Sequence, residues 1–183
     1  MLVATIVGFL TVFQVRAQAG ELPWRHHTIL LVVLAIGAAL VLTLVGGVAV
    51  LGFAPSVPEE WGILTLHILA VASFASLMAE LLGRWALIPT WLFFVILGNT
   101  SSGGAVSPAL LPAPFAFFSR WLPSGATVTS LRDAIYFRSF QHAQPIEVLA
   151  AWALILFAAW LLVSRRKMAP ADAGGQQALA AAA

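Results

Sequence analysis

The chain has 183 residues, 61% of them hydrophobic and only 9% charged, with a mean hydropathy of +0.98. Soluble domains carry about 25% charged residues, so this composition excludes an ordinary soluble fold and indicates an integral membrane protein. The pI of 9.9 rests on a formal charge of only +2, with bases at separate loop ends, which excludes a nucleic-acid-binding surface; the lack of cysteine excludes disulfides, thiolate metal sites and cysteine nucleophiles.

A membrane-spanning helix needs about 20 mostly apolar residues. Residues 1–15 are apolar but short, and read as a thin or tilted span or as part of a longer one. Ala17-Gln18-Ala19 has the form of a signal-peptidase site, but no Lys or Arg precedes the apolar run and Arg16 lies beside the site, so a retained helix is expected. Arg16, Arg25 and the adjacent His26-His27 then form a loop. With no carboxylate or further histidine at ligand spacing, no metal site is expected there.

Residues 29–53 are a clear span, on which Ala35, Ala39, Thr43 and Gly47 recur every fourth position. Small residues at that spacing let helices approach closely. The short loop 54–60 carries Glu59 and Glu60 and no base. Residues 61–82 are the next span, where Ala75, Ala79 and Gly83 repeat the small-residue spacing. His67 lies well inside this span. An ionisable group there is a functional candidate by default; the plainer alternative is a neutral imidazole bonded to a neighbouring helix or to water. Near the far end, Glu80 and Arg84 are spaced to pair along one helix face. Residues 85–98 extend into the polar run that follows them to make about one more span, and 146–164 are the last.

Arg16, Arg25, Arg84, Arg165, Arg166 and Lys167 fall on one side of a five-span arrangement, which the positive-inside rule assigns to the cytoplasm. The expected topology in the plasma membrane has the N-terminus out and the C-terminus in. Residues 166–183, rich in alanine, read as a disordered cytoplasmic tail behind a membrane domain covering 1–165.

The stretch 98–112, GNTSSGGAVSPALLP, interrupts this pattern. Backbone at membrane depth must be hydrogen-bonded within the protein or line a wet cavity. Gly103 and Gly104 permit turns closed to other residues, and Pro108, Pro112, Pro114 and Pro123 forbid a continuous helix over 105–123. That segment is too interrupted to span and too apolar to sit in water. A re-entrant helical hairpin on the outer side is the economical solution; an outer loop with an amphipathic patch in the headgroups is the other.

The run from Ser101 to Tyr136 resembles the signature near the C-terminus of type-2 ABC exporter permeases, closest to their phage-infection protein branch. The resemblance rests on Ser102, Gly103, Gly104, Pro108, Leu110, Leu111, Pro112, Phe115, Phe118, Leu122, Pro123, Leu131, Arg132 and Ala134. It implies short re-entrant helices just before the last span. Such permeases have six spans and, in this branch, a large extracytoplasmic region after the first; this chain has no counterpart of either and opens within what would be the second span.

The expected molecule is therefore an all-α polytopic bundle of about five spans with a re-entrant hairpin, acting as a permease-like subunit of an export system. The alternative is a non-transporting scaffold or assembly factor of an envelope or secretion complex. Expected partners are membrane lipid, other membrane subunits or further copies of the chain, and a separate ATPase; no cofactor or catalytic residue is expected. If an ion gradient replaced the ATPase, His67 and Glu80 would be the candidate proton carriers. The only lysine, Lys167, lies outside any glycine-rich phosphate loop. The pure chain is thus expected to release no phosphate from ATP in a coupled assay, and turnover that survives removal of contaminants would contradict this reading.

Overall fold

The computed structural model describes residues 1–19, 24–46, 57–104, 106–137 and 142–167. Its regular elements are all helical: α1 (Leu2–Ala19), α2 (Trp24–Thr43), α3 (Val57–Leu82), α4 (Leu87–Ser101), α5 (Ala113–Trp121), α6 (Pro123–Tyr136) and α7 (Ala143–Lys167). Three of them, α2, α3 and α7, are long and apolar enough to cross a membrane; α1 and α4 are shorter apolar helices. Gly47 and residues 168–183 lie outside the described residues, and Arg166 and Lys167 belong to the end of α7 rather than to a tail.

Helix α3 is the hub. Its apolar window is 61% buried, against 22% for α2 and α7, so the latter two turn most of their surface outward. Those outward faces carry Ile29, Val33, Val41, Leu154, Ile155 and Leu162, side chains that suit lipid and would be costly in water. The inward faces meet in one core of Phe9 and Val12 from α1, Leu31 from α2, Val71 and Ala75 from α3, Phe94 from α4, and Leu156 and Trp160 from α7.

Small residues set the closest approaches. Ala35 and Ala39 of α2 are buried against Ala4 of α1 and against Leu64 and Ile68 of α3, and Thr43 is buried one turn on. Ala75 and Ala79 are buried on α3. Gly83 departs from the expected packing role: it is exposed, has φ +55°, and a side chain there would meet open space. It ends α3 by taking a left-handed conformation available to glycine at little cost. Gly8, which the sequence pattern did not single out, brings α1 against α3; a Cβ there would lie 3.1 Å from Val71.

Helices α5 and α6 form a hairpin joined by the single extended residue Leu122. Pro112 precedes α5, and Pro123 opens α6 at the position where its missing N–H leaves no helical bond unmade. The hairpin closes so tightly that a Cβ on Gly125 would lie 1.9 Å from the Ser119 carbonyl oxygen. Leu131 packs toward the core from α6, whereas Leu111 is half-buried ahead of α5.

Of the two glycines in the turn after α4, only Gly103 needs to be glycine: its φ is +75°, whereas Gly104 is exposed and has no positive φ. Gly103→Ala is expected to cost about 1–2 kcal/mol and Gly125→Ala about 1–3 kcal/mol by overpacking, with Gly104→Ala close to neutral. Denaturant titration in detergent checks this; equal losses at 103 and 104 would contradict the assignment of the turn.

Candidate functional site

The polar atoms of the bundle interior gather along α3. His67 is fully buried, with Nε2 2.8 Å from Thr5 Oγ1 of α1 and Nδ1 2.9 Å from Thr127 Oγ1 of α6. Thr127 Oγ1 donates to the Pro123 carbonyl at 2.7 Å. A hydroxyl has one proton to donate, so Thr127 accepts from Nδ1–H; Thr5 Oγ1 is 2.8 Å from Nε2 and 3.4 Å from the Met1 carbonyl, and its proton goes to the nearer acceptor, Nε2. The neutral ring is then satisfied at both nitrogens. Phe94 of α4 closes the remaining side, its ring edge-on to His67 at 6.3 Å. Four helices thus meet on one imidazole.

Phe94 reaches the centre together with Phe93, which stacks on Phe74 at 5.2 Å. Residues Leu92–Leu97 of α4 are wound as π-helix. That wider winding reduces the angle between successive side chains and lets adjacent phenylalanines both face inward.

The polar run at the end of α4 folds its side chains back onto the helix. Thr100 Oγ1 donates to the Ile96 carbonyl at 2.7 Å, Ser101 Oγ to Leu97 at 2.6 Å and Ser102 Oγ to Asn99 at 2.9 Å. Arg132 of α6 then donates to the Gly103 carbonyl at 2.7 Å. The Ser102 hydroxyl supplies Asn99 in the last turn of α4, where the helix leaves carbonyls without partners, and Arg132 supplies Gly103 in the turn beyond, whereas the Thr100 and Ser101 hydroxyls bond back to carbonyls one turn inside the helix. Asp133, the next residue, accepts from His142 Nδ1 at 3.2 Å and ties the end of α6 to the start of α7. Gly98 gives α6 room at this place, since a Cβ on it would come within 2.5 Å of Ser124 Oγ. Neither Gly98 nor Gly125 was marked by the sequence reading.

Two independent ties locate the hairpin tip along its neighbours. Thr127 bonds His67, ten residues along α3 from Val57, or about 15 Å at 1.5 Å per residue. Trp152 Nε1 donates to the Trp121 carbonyl at 2.7 Å, nine residues along α7 from Ala143, or about 14 Å.

At the opposite end of the bundle, Glu80 does not wait for Arg84. It forms an ion pair with Arg16 of α1, while Arg84 lies over the Trp85 ring at 5.4 Å. Gly83 is the reason: once α3 ends there, Arg84 leaves the face that Glu80 occupies. The loop expected around His26-His27 is instead the first turns of α2. His27 is buried, 3.1 Å from Ser76 Oγ and packed on the Trp160 ring at 5.0 Å. Among the described residues, no group of three or more His, Cys, Asp or Glu could hold a metal ion.

No family model, curated protein or solved structure matches this chain. The site therefore has to be judged on its own geometry: a buried imidazole that fixes register among α1, α3 and α6, and a hairpin locked at both its glycine turn and its tip.

Thr127→Val removes the acceptor of the Nδ1 proton and Thr5→Val the donor to Nε2. Each is expected to cost about 0.6 kcal/mol, the average for interhelical hydrogen bonds in membranes, and at most about 1.7 kcal/mol. In a double-mutant cycle with His67→Ala the pair energies should be of the same size. Strict additivity would show that the imidazole holds neither helix.

Proposed function

We propose that the chain is a permease-like membrane subunit of an export system, with α5–α6 re-entrant from the outer face and energy supplied by a separate ATPase. The observation that carries this reading is the pair of ties at the hairpin tip. Counted from Trp61 and Ile146, where the two apolar spans begin, the ties lie six residues, or about 9 Å, inside a hydrocarbon core of about 30 Å, so in this reading the tip dips below the headgroups. A broken helix at that depth is tolerated only within protein or against water. Pro123, Ser124, Gly125, Ala126 and Thr127, the residues at the tip, are all buried.

Five crossings fit the contacts. Thr5 meets His67 and Arg16 meets Glu80, so α1 runs parallel to α3 over nearly the same length. His27 meets Ser76 and Trp61 Nε1 donates to the Ile36 carbonyl, so α2 runs the other way. At about 24 Å for Leu2–Ala17 and 22 Å for Leu87–Ser101, α1 and α4 would cross a locally thinned bilayer. Arg16, Arg25, Arg84 and Arg165 then share the cytoplasmic end. Both ring nitrogens of His67 are engaged and Glu80 is ion-paired, which favours a partner ATPase over a proton gradient. The dense burial of α3 supports the scaffold alternative, because a hub so closely held resists rearrangement.

Cysteines at Ser107 and Gln144, both exposed, are expected to react with an impermeant maleimide on intact cells, and one at Arg166 only after permeabilisation. The reverse pattern would overturn the topology. Purification in mild detergent is expected to retain an ATP-hydrolysing protein whose turnover rises when this chain is present; recovery of envelope-complex proteins alone would favour the scaffold.

A further inference from the structure

The hairpin is flanked by two clefts that share Arg120 and Trp121. One, of about 480 Å³, lies between α5, α6 and the start of α7 and includes Thr129, His142 and Gln144. The other, of about 400 Å³, lies on the outer face of α5 and adds Ala116 and Phe117. Phe117 and Trp121 are 61% and 54% exposed. Among the described residues, no carboxylate lines either cleft; the nearby Asp133 is bonded to His142. Arg120 has no ion-pair partner among the described residues.

Arg120 sits one residue from Trp121, whose carbonyl is tied to Trp152 well along α7. A lone guanidinium at that depth is expensive unless water or an anion reaches it. The larger cleft offers the route, since it runs from His142 and Gln144 at the head of α7 down to Trp121 at the tip. Beside the charge, the α5 face offers apolar aromatic surface, so one site combines a cation, hydroxyl and amide groups, and a greasy groove.

We propose that this site binds an anionic phospholipid, with its phosphate at Arg120 and an acyl chain along Phe117 and Trp121. The proposal rests on the re-entrant reading and adds to it a ligand class: an amphiphile entering from the outer leaflet. Guanidinium pairs with phosphate through two parallel hydrogen bonds, and the absence of acid in the clefts selects against zwitterionic headgroups by leaving their ammonium unpaired.

The test uses the purified full chain and native mass spectrometry with phosphatidylglycerol or phosphatidylcholine of equal chain length. Wild type is expected to retain phosphatidylglycerol about fivefold better, the effect of one cation on anionic lipid. R120Q is expected to bring the two lipids to parity and R120K to keep the preference; F117A should weaken retention of both. A preference unchanged in R120Q, or complete displacement of phosphatidylglycerol by millimolar inorganic phosphate, would overturn the lipid site. A second measurement needs no change at Arg120: short-chain phosphatidylglycerol should protect Gln144→Cys from maleimide more than phosphatidylcholine does, and equal protection would count against the site. The depth of a nitroxide at residue 121 relative to residues 107 and 154 separates failure of this site from failure of the re-entrant reading, because a hairpin lying in the headgroups would bring 121 to the depth of 107 whatever lipid is bound.

Discussion

Polar groups removed from water gain by satisfying one another, and several do so around α3, while Ser73 Oγ on that helix, Ser124 and Ser130 Oγ on α6 and Trp160 Nε1 on α7 have no hydrogen-bond partner among the described residues. His67 holds Thr5 and Thr127, Ser76 holds His27, and Glu80 holds Arg16. These ties lie at different heights of one helix and reach three others. Each contributes little energy by itself, since interhelical hydrogen bonds in membranes average about 0.6 kcal/mol. Their effect is on register. A helix that slid by one residue past α3 would keep its apolar packing almost intact but would strand a buried donor, and a stranded donor costs about 1–3 kcal/mol.

The outer hairpin depends on the same constraint. A helix end inside the bundle leaves carbonyls and N–H groups without partners. The chain meets that demand with the Ser102 hydroxyl on the Asn99 carbonyl, the guanidinium of Arg132 on that of Gly103, the Trp152 indole on that of Trp121 and a proline at the first position of α6. With those bonds made, the close approach of Gly125 to Ser119 and of Gly98 to Ser124 packs α5 and α6 against α4 without side chains between them. Among the described residues of the hairpin, Arg120 at the proposed lipid site is the charge without an ion-pair or hydrogen-bond partner.

Much of the fold was legible because spans are written in composition. The apolar runs at 29–53, 61–82 and 146–164 correspond to α2, α3 and α7, and the break at 98–104 corresponds to the end of α4 and the turn behind it. What stayed hidden depends on distance in sequence. Glu80 has a base four residues away, yet its partner is Arg16, 64 residues off, because Gly83 ends the helix before Arg84 can share its face. Gly103 and Gly104 look alike in sequence; only the path of the chain makes the first left-handed and leaves the second ordinary. His26-His27 read as loop because they flank an arginine, whereas α2 begins before them and buries His27 on Trp160. Gly98 and Gly125 lie in no repeating pattern, and their importance comes from neighbours in other segments.

The most direct measurement is the depth of the hairpin tip in a bilayer. A nitroxide placed at residue 121, where the tie to Trp152 runs through the backbone carbonyl, can be compared by oxygen and nickel-chelate relaxation with labels at Leu154 in α7 and Ser107 in the outer turn. The re-entrant reading expects residue 121 to match residue 154 in depth and to lie well below residue 107. A label at 121 that reads the same depth as 107 would mean that the hairpin rests in the headgroups, and the central claim would be wrong.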